Sequence, residues 1–150
     1  KVLIKTMALE DPDFIVKAVG YFGSQCISIA VDVIFENGEY WIHQKSDEKV
    51  LMETFIDKMN QCNVGELVVN AVHNDGMMMG YDFNLYQKVT QLTSKPVVAV
   101  GGAGTPSHFI QLMQTDYNGA LAAASIYHFT QFTPQEVKTT LKNAQILVRI

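Results

Sequence analysis

Cysteine is scarce in this chain, and the two present, Cys26 in an apolar run and Cys62 in a polar connection, are far apart with no CxxC spacing. That pattern excludes a disulfide scaffold and offers no metal-ligand spacing, so both read as reduced structural thiols, and no cofactor is expected. Basic residues are also few: eleven Lys and Arg against fifteen Asp and Glu leave a formal charge of -4, without a local basic cluster. A nucleic-acid-binding surface is therefore not expected. No apolar run reaches the length of a membrane span and no signal-peptide pattern opens the chain, so no membrane partner is expected and the cytoplasm is the default compartment. Low-complexity tracts are missing too. What remains is 150 residues, 48% hydrophobic and 17% charged, an ordinary globular balance with enough chain for one sizeable core.

Apolar runs of strand character alternate with helical stripes along the whole chain. Val2 to Thr6 reads as a short strand, and Asp11-Pro12 starts a helix whose face carries Phe14, Ile15, Ala18 and Val19 before Gly23 ends it. Cys26 to Val33 is a buried strand that leads into a hairpin excursion around Asn37-Gly38, a type I′ turn signal. Leu51, Phe55, Ile56 and Met59 mark a helix over 50–60, Glu66 to Val72 the next strand, and His73 to Asp82 a polar loop. A helix over 84–93 precedes the run Pro96-Val97-Val98-Ala99-Val100, which breaks into Gly101-Gly102-Ala103-Gly104. Further on come a helix over 108–114, a small-residue strand over 119–125, and a final helix opened by Thr133-Pro134-Gln135-Glu136, a capping box.

The glycine turn is the feature with the plainest chemistry. A strand that ends in glycines and enters a helix lets backbone N–H groups approach a ligand, and the helix start favours an anion such as phosphate. Polar residues collect at the same ends of the other strands: Lys5 and Thr6, Asp32, Asn70 with His73 and Asp75, and Ser125. Roughly five βα units are expected, which a doubly wound sheet could accommodate and a (β/α)8 barrel would exceed. Contributions from every strand end suit the barrel better than a single crevice.

The runs Lys1-Val2-Leu3-Ile4-Lys5-Thr6, Phe22-Gly23-Ser24-Gln25, Ala30-Val31-Asp32, Asp75-Gly76, Gly80-Tyr81-Asp82, Gly101-Gly102-Ala103-Gly104 and Ala123 to Phe129 resemble the cyclase subunit of imidazole glycerol phosphate synthase. The resemblance covers the whole chain and the family's C-terminal three-fifths, from the fourth barrel strand to the eighth helix. It implies an α/β fold of the (β/α)8 TIM barrel type, with residues 1–150 as the C-terminal portion of one domain and the first three strands missing. It also implies a histidine-biosynthesis enzyme that takes ammonia from a glutaminase (glutamine amidotransferase) subunit and acts on a phosphorylated ribulosyl aminoimidazole-carboxamide. Position by position, Asp32 matches the catalytic aspartate of the fifth strand. Gly101, Gly102, Ala124 and Ser125 match one phosphate site, and Thr6, with Lys5 beside it, matches the other. His73, Asp75 and Gly76 lie in a substrate-face loop, and Lys1 and Glu66 match members of a charged ammonia gate at the opposite strand ends.

Several positions depart from the family pattern. Lys5 stands where Asn is usual, His73-Asn74 replaces Asp-Arg, Met77-Met78-Met79 replaces a polar stretch, Val100 replaces Ser, and the apolar Val33-Ile34-Phe35 replaces basic residues. These changes lie on the substrate face and leave alternatives open: a paralogue using ammonia on another substrate, such as a nucleotide sugar of surface-polysaccharide synthesis, or a non-catalytic subunit that docks a glutaminase. The related sugar-phosphate isomerase barrels are a further alternative, less favoured by the 123–129 run. Because the family's other catalytic aspartate belongs to its first strand, residues 1–150 alone are expected to be inactive. Five open strands would expose two edges, so either preceding strands or self-association of two copies is expected to cover them.

Overall fold

A computed structural model of the chain describes residues 1–44 and 48–149. Strand β1 (Val2–Ile4) is followed at once by the short helix α1 (Thr6–Glu10) and then by α2 (Pro12–Phe22). Asp11 caps α2 as expected, its carboxylate accepting from the Phe14 N–H at 3.0 Å. Helix α1 has no sequence signal of its own and turns the expected end of the first strand, Lys5 and Thr6, into a helix start.

Strand β2 (Ile27–Glu36) is longer than the expected run because it continues straight into the hairpin with β3 (Glu39–Ile42). The turn has positive φ at both Asn37 (54°) and Gly38 (85°), the type I′ signature. Helix α3 (Met52–Gln61), strand β4 (Glu66–Ala71), helix α4 (Phe83–Leu92) and strand β5 (Val97–Val100) fall within two residues of the expected spans. Helix α5 (Pro106–Met113) is followed by β6, which is only Ala120–Leu121. That last strand is shorter than expected because the glycine and alanine residues around it present little side chain to pack, and only β5 pairs with it. Consequently Ser125 begins helix α6 (Ser125–Phe129) rather than ending a strand. In α7 (Pro134–Asn143) the capping box is complete: the Glu136 N–H donates to the Thr133 hydroxyl, and the Glu136 carboxylate accepts from the Thr133 N–H.

Among the described residues, five parallel strands run in the order β1-β2-β4-β5-β6, with β3 antiparallel on β2. Since Val33 pairs with both Ala71 and Ile42, β3 takes over the edge of β2 that β1 leaves after Ile29. Burial alternates along the central strands. Ile27, Ile29, Val31, Val33, Leu67, Val69, Ala71, Val97 and Ala99 are buried in one core with Ile15 of α2, Phe55, Ile56 and Met59 of α3, Leu85 and Val89 of α4, and Phe109 and Leu112 of α5. The opposite face carries Ala30, Asp32, Val68, Asn70, Val98 and Val100, all partly accessible, together with Ser28 and Glu66 lower down. One face packed by helices and one lined by strand side chains in level rows is the arrangement of a (β/α)8 barrel wall, here in part, and not of a doubly wound sheet packed on both sides. No helix is long and apolar enough to cross a membrane among the described residues.

Candidate functional site

Pairing in register places Asp32 beside Asn70, and Asn70 beside Val100, in the row at the C-terminal ends of the strands. Paired parallel residues point to the same face, so Asp32 and Asn70 share the open one. The Lys5 ammonium sits 2.5 Å from Asp32 Oδ2, reaching over from the β1–α1 junction. The Asn70 side-chain N–H2 lies 3.3 Å from Asp32 Oδ1 and 3.5 Å from Asp75 Oδ2. The Asp32 carboxylate is therefore held on both oxygens. Lys5, Thr6 and Asp32 also wall a cleft of about 910 Å³ with Glu10 of α1, His43 and Gln44 beyond β3, and Lys58 of α3.

A second, smaller cleft of about 180 Å³ lies at Gly101, Gly102, Ala103, Ala124 and Ser125, with Asp75 on its wall. It has room for a group the size of phosphate. The glycine turn is shaped by tight packing as well as by conformation. Gly101 and Gly102 have φ of 98° and 100°, and a Cβ on Gly102 would lie 2.0 Å from the Gly80 carbonyl oxygen. The Gly80 N–H donates to the Gly102 carbonyl at 2.8 Å, and a Cβ on Gly104 would meet Met78 at 2.5 Å. Met78, with φ of 57°, is thus the residue that seats the loop on the turn, while Met77 and Met79 on either side of it are exposed. His108, which the sequence offers only as a helix residue, accepts the Gly104 N–H on Nδ1 at 3.1 Å. Burial lowers the His108 imidazole below its ordinary range, which keeps that nitrogen an acceptor.

Of the loop residues, Asp75 and Gly76 are exposed, and Asp75 reaches the small cleft. His73 turns toward Asp82: its Nε2 lies 2.8 Å from Asp82 Oδ2. The same carboxylate accepts the Leu85 N–H as the cap of α4, at 2.9 Å, and the Tyr40 hydroxyl at 3.0 Å. Burial, reinforced by the Asp82 charge, pushes the Tyr40 phenol far above its ordinary value, so it stays a donor. Asp82 thereby ties the hairpin, the loop and α4 together.

At the other end of the strands Lys1 and Glu66 pair at 2.6 Å, and Ser28, buried on the same face, donates to the second Glu66 oxygen at 2.7 Å. The Lys1 hydrogen bond, outweighing desolvation and helped by Ser28, holds the Glu66 carboxyl below its ordinary value. Asn70, Asp82 and His108 are the residues that sequence reasoning passed over as organisers. Position alone marked Asn70, at a strand end beside the polar loop.

Comparison with known proteins adds an independent line. A family model described as histidine biosynthesis protein matches residues 1–133. The provisionally named imidazole glycerol phosphate synthase subunit hisF2 of Vibrio vulnificus is 37% identical over 156 residues, covering 100% of this chain and 56% of the relative. The imidazole glycerol phosphate synthase subunit HisF of Methanopyrus kandleri is 33% identical, with 99% of this chain and 63% of the relative covered. The subunit of the same name from Staphylococcus epidermidis is 34% identical, with 99% and 61% covered. The chain thus spans about three fifths of the length of these curated relatives. With a parallel barrel wall, polar residues gathered at its C-terminal rim and the family match over most of its length, the chain belongs to the histidine biosynthesis protein family.

Proposed function

We propose that residues 1–150 are the C-terminal portion of a single (β/α)8 barrel domain of an ammonia-using cyclase of the imidazole glycerol phosphate synthase type, working in the cytoplasm with a glutaminase subunit. The substrate in this reading is a phosphorylated ribulosyl aminoimidazole-carboxamide. The observation that carries it is the rim row: the Asp32 carboxylate on the open face, with Lys5 and Thr6 on one side and the phosphate-sized cleft at Gly101, Gly102, Ala124 and Ser125 on the other.

Asp32 passes protons to and from the substrate as the ring closes, the work a carboxylate at a strand end can do. One substrate phosphate lies at Gly101, Gly102, Ala124 and Ser125. The other lies at Thr6 and Lys5, whose ammonium has three donors and uses one on Asp32. Asp75 and Gly76 wall the substrate, and His73 fixes their loop through Asp82. Lys1 and Glu66 form part of the passage for ammonia from the opposite end. A paralogous amidotransferase-associated enzyme with another substrate is the second reading, favoured by the lysine on Asp32 and the exposed Met77 and Met79 beside the glycine turn.

Turnover of the full chain in the complete protein, with ammonium as nitrogen donor, tests both readings. Asp32→Asn is expected to lower kcat by about 10²–10⁴, the usual worth of a positioned acid or base. Unchanged turnover removes Asp32 from the chemistry. Turnover only with a different phosphorylated substrate selects the second reading, and no turnover with any selects a docking subunit.

A further inference from the structure

We propose that Asn70 is a positioning residue that joins the two clefts, its side-chain N–H2 fixing the Asp32 carboxylate with respect to Asp75 and the glycine turn. The inference deepens the function proposed above and rests on it for the role of Asp32.

Three observations carry it. The Asn70 amide nitrogen lies between two carboxylates from different walls, Asp32 of the large cleft and Asp75 of the small one, at 3.3 and 3.5 Å. Its two N–H bonds can be divided between them. The amide cannot turn over, because that would aim its oxygen at both carboxylates, and like partial charges at such a distance repel. Finally, the amide oxygen is buried without a donor, packed where a Cβ on Gly101 would come within 2.8 Å of it.

A buried acceptor without a donor is unfavourable for folding. An apolar residue of similar volume at this strand position would avoid that cost and suit a β-strand better. A polar amide kept at some expense of stability is what a site that needs its nitrogen looks like, and the nitrogen has two carboxylates to serve. Lys5 holds the other Asp32 oxygen, so Asn70 and Lys5 together leave the carboxylate one orientation, facing the open side of the wall.

The test uses the full chain and two substitutions. Asn70→Val removes the amide and leaves the strand intact, and Asn70→Asp keeps the shape but exchanges the donor for a third carboxylate. Both are expected to lower kcat about ten- to a hundredfold with KM nearly unchanged, the mark of a misplaced catalytic group. The melting temperature of Asn70→Val is expected to hold or rise. For Asn70→Val a fall in kcat matched by a fall in melting temperature, and for either variant a rise in KM with kcat intact or no change in either constant, overturns the proposal. If Asp32→Asn abolishes turnover while Asn70→Val does not, this inference alone fails. If the unsubstituted protein has no turnover, the proposed function fails instead. A double-mutant cycle in urea, pairing Asn70→Val with Asp32→Asn, then reads the link directly: non-additive stabilities support the link and additive ones refute it.

Discussion

Substituting Gly102 by alanine tests whether the glycine turn is held by its neighbours or only by its own backbone. At φ of 100° an L-residue is strained, which costs roughly 1–2 kcal/mol. The new Cβ would also stand 2.0 Å from the Gly80 carbonyl oxygen and 3.1 Å from the Asn74 Cβ. These atoms belong to the β4–α4 loop and cannot yield by a side-chain rotation, so the loop must lift. Lifting it breaks the Gly80 N–H to Gly102 carbonyl bond, worth about 0.5–1.5 kcal/mol, and the overpacking adds about 1–3 kcal/mol. Together these contributions come to about 2.5–6.5 kcal/mol, a large part of the roughly 5–15 kcal/mol that holds a domain folded. Gly76→Ala is the matched control: its φ is 78°, but nothing lies within 4 Å of a Cβ there, so only the conformational cost of about 1–2 kcal/mol applies. Urea unfolding of both variants gives the difference. If Gly102→Ala loses no more stability than Gly76→Ala, the close approach of loop and turn is not a rigid contact and the reasoning is wrong.

Other consequences are open to simpler measurements. Gly20 lies exposed in α2 with open space around its Cα, so Gly20→Ala should raise stability by about 0.5–1 kcal/mol, read as a later urea midpoint with the same slope. Asp82→Ala removes a helix cap and the partners of Tyr40 and His73 together and is expected to cost about 2–4 kcal/mol, against about 1 kcal/mol for Thr133→Ala, which removes one cap; thermal melts compare the two. Because the folded Glu66 carboxyl titrates below its unfolded value of 4.5, its contribution to stability is complete above that value and disappears as pH falls through the lower, folded one. Glu66→Gln should therefore flatten the acid limb of a stability-versus-pH curve, and an unchanged limb would refute the assignment. His108 works in the same direction at higher pH: with its folded titration lowered, stability declines as pH falls below the ordinary histidine value of 6.5, and His108→Gln should reduce that slope.

Much of the fold can be read along the chain because its signals are local. Asp11 before Pro12, Thr133 with Glu136, and Asn37-Gly38 each specify a helix start or a turn through contacts within four residues, and each occurs as expected. The alternation of strands and helices, and the motifs shared with the histidine biosynthesis family, are equally written in the order of residues. Less legible was the start of α1 at Thr6, which carries no side-chain cap, and the brevity of β6, whose small residues pack weakly at an edge.

The sequence by itself determined the alternation of strands and helices, the Asp11 and Thr133 caps, the type I′ hairpin and the clustering of Lys5, Thr6, Asp32, Asn70, Asp75 and the glycine turn at one end of the strands. The sequence favoured a barrel over a doubly wound sheet through its strand-end polar residues and its family motifs, and the tertiary structure shows the physical difference directly, in which face of the sheet the helices cover. Tertiary structure alone chose the partners of the site residues. Lys5 meets Asp32 across 27 positions of sequence and Asn70 meets it across 38. Such pairings follow from strand register and from the packing of separate elements, which no periodicity within one element can encode. The glycine turn combines both origins: its residues announce a bend, and only the loop seated on it, with Gly80 against Gly102 and Met78 against Gly104, explains why glycine is required at those positions.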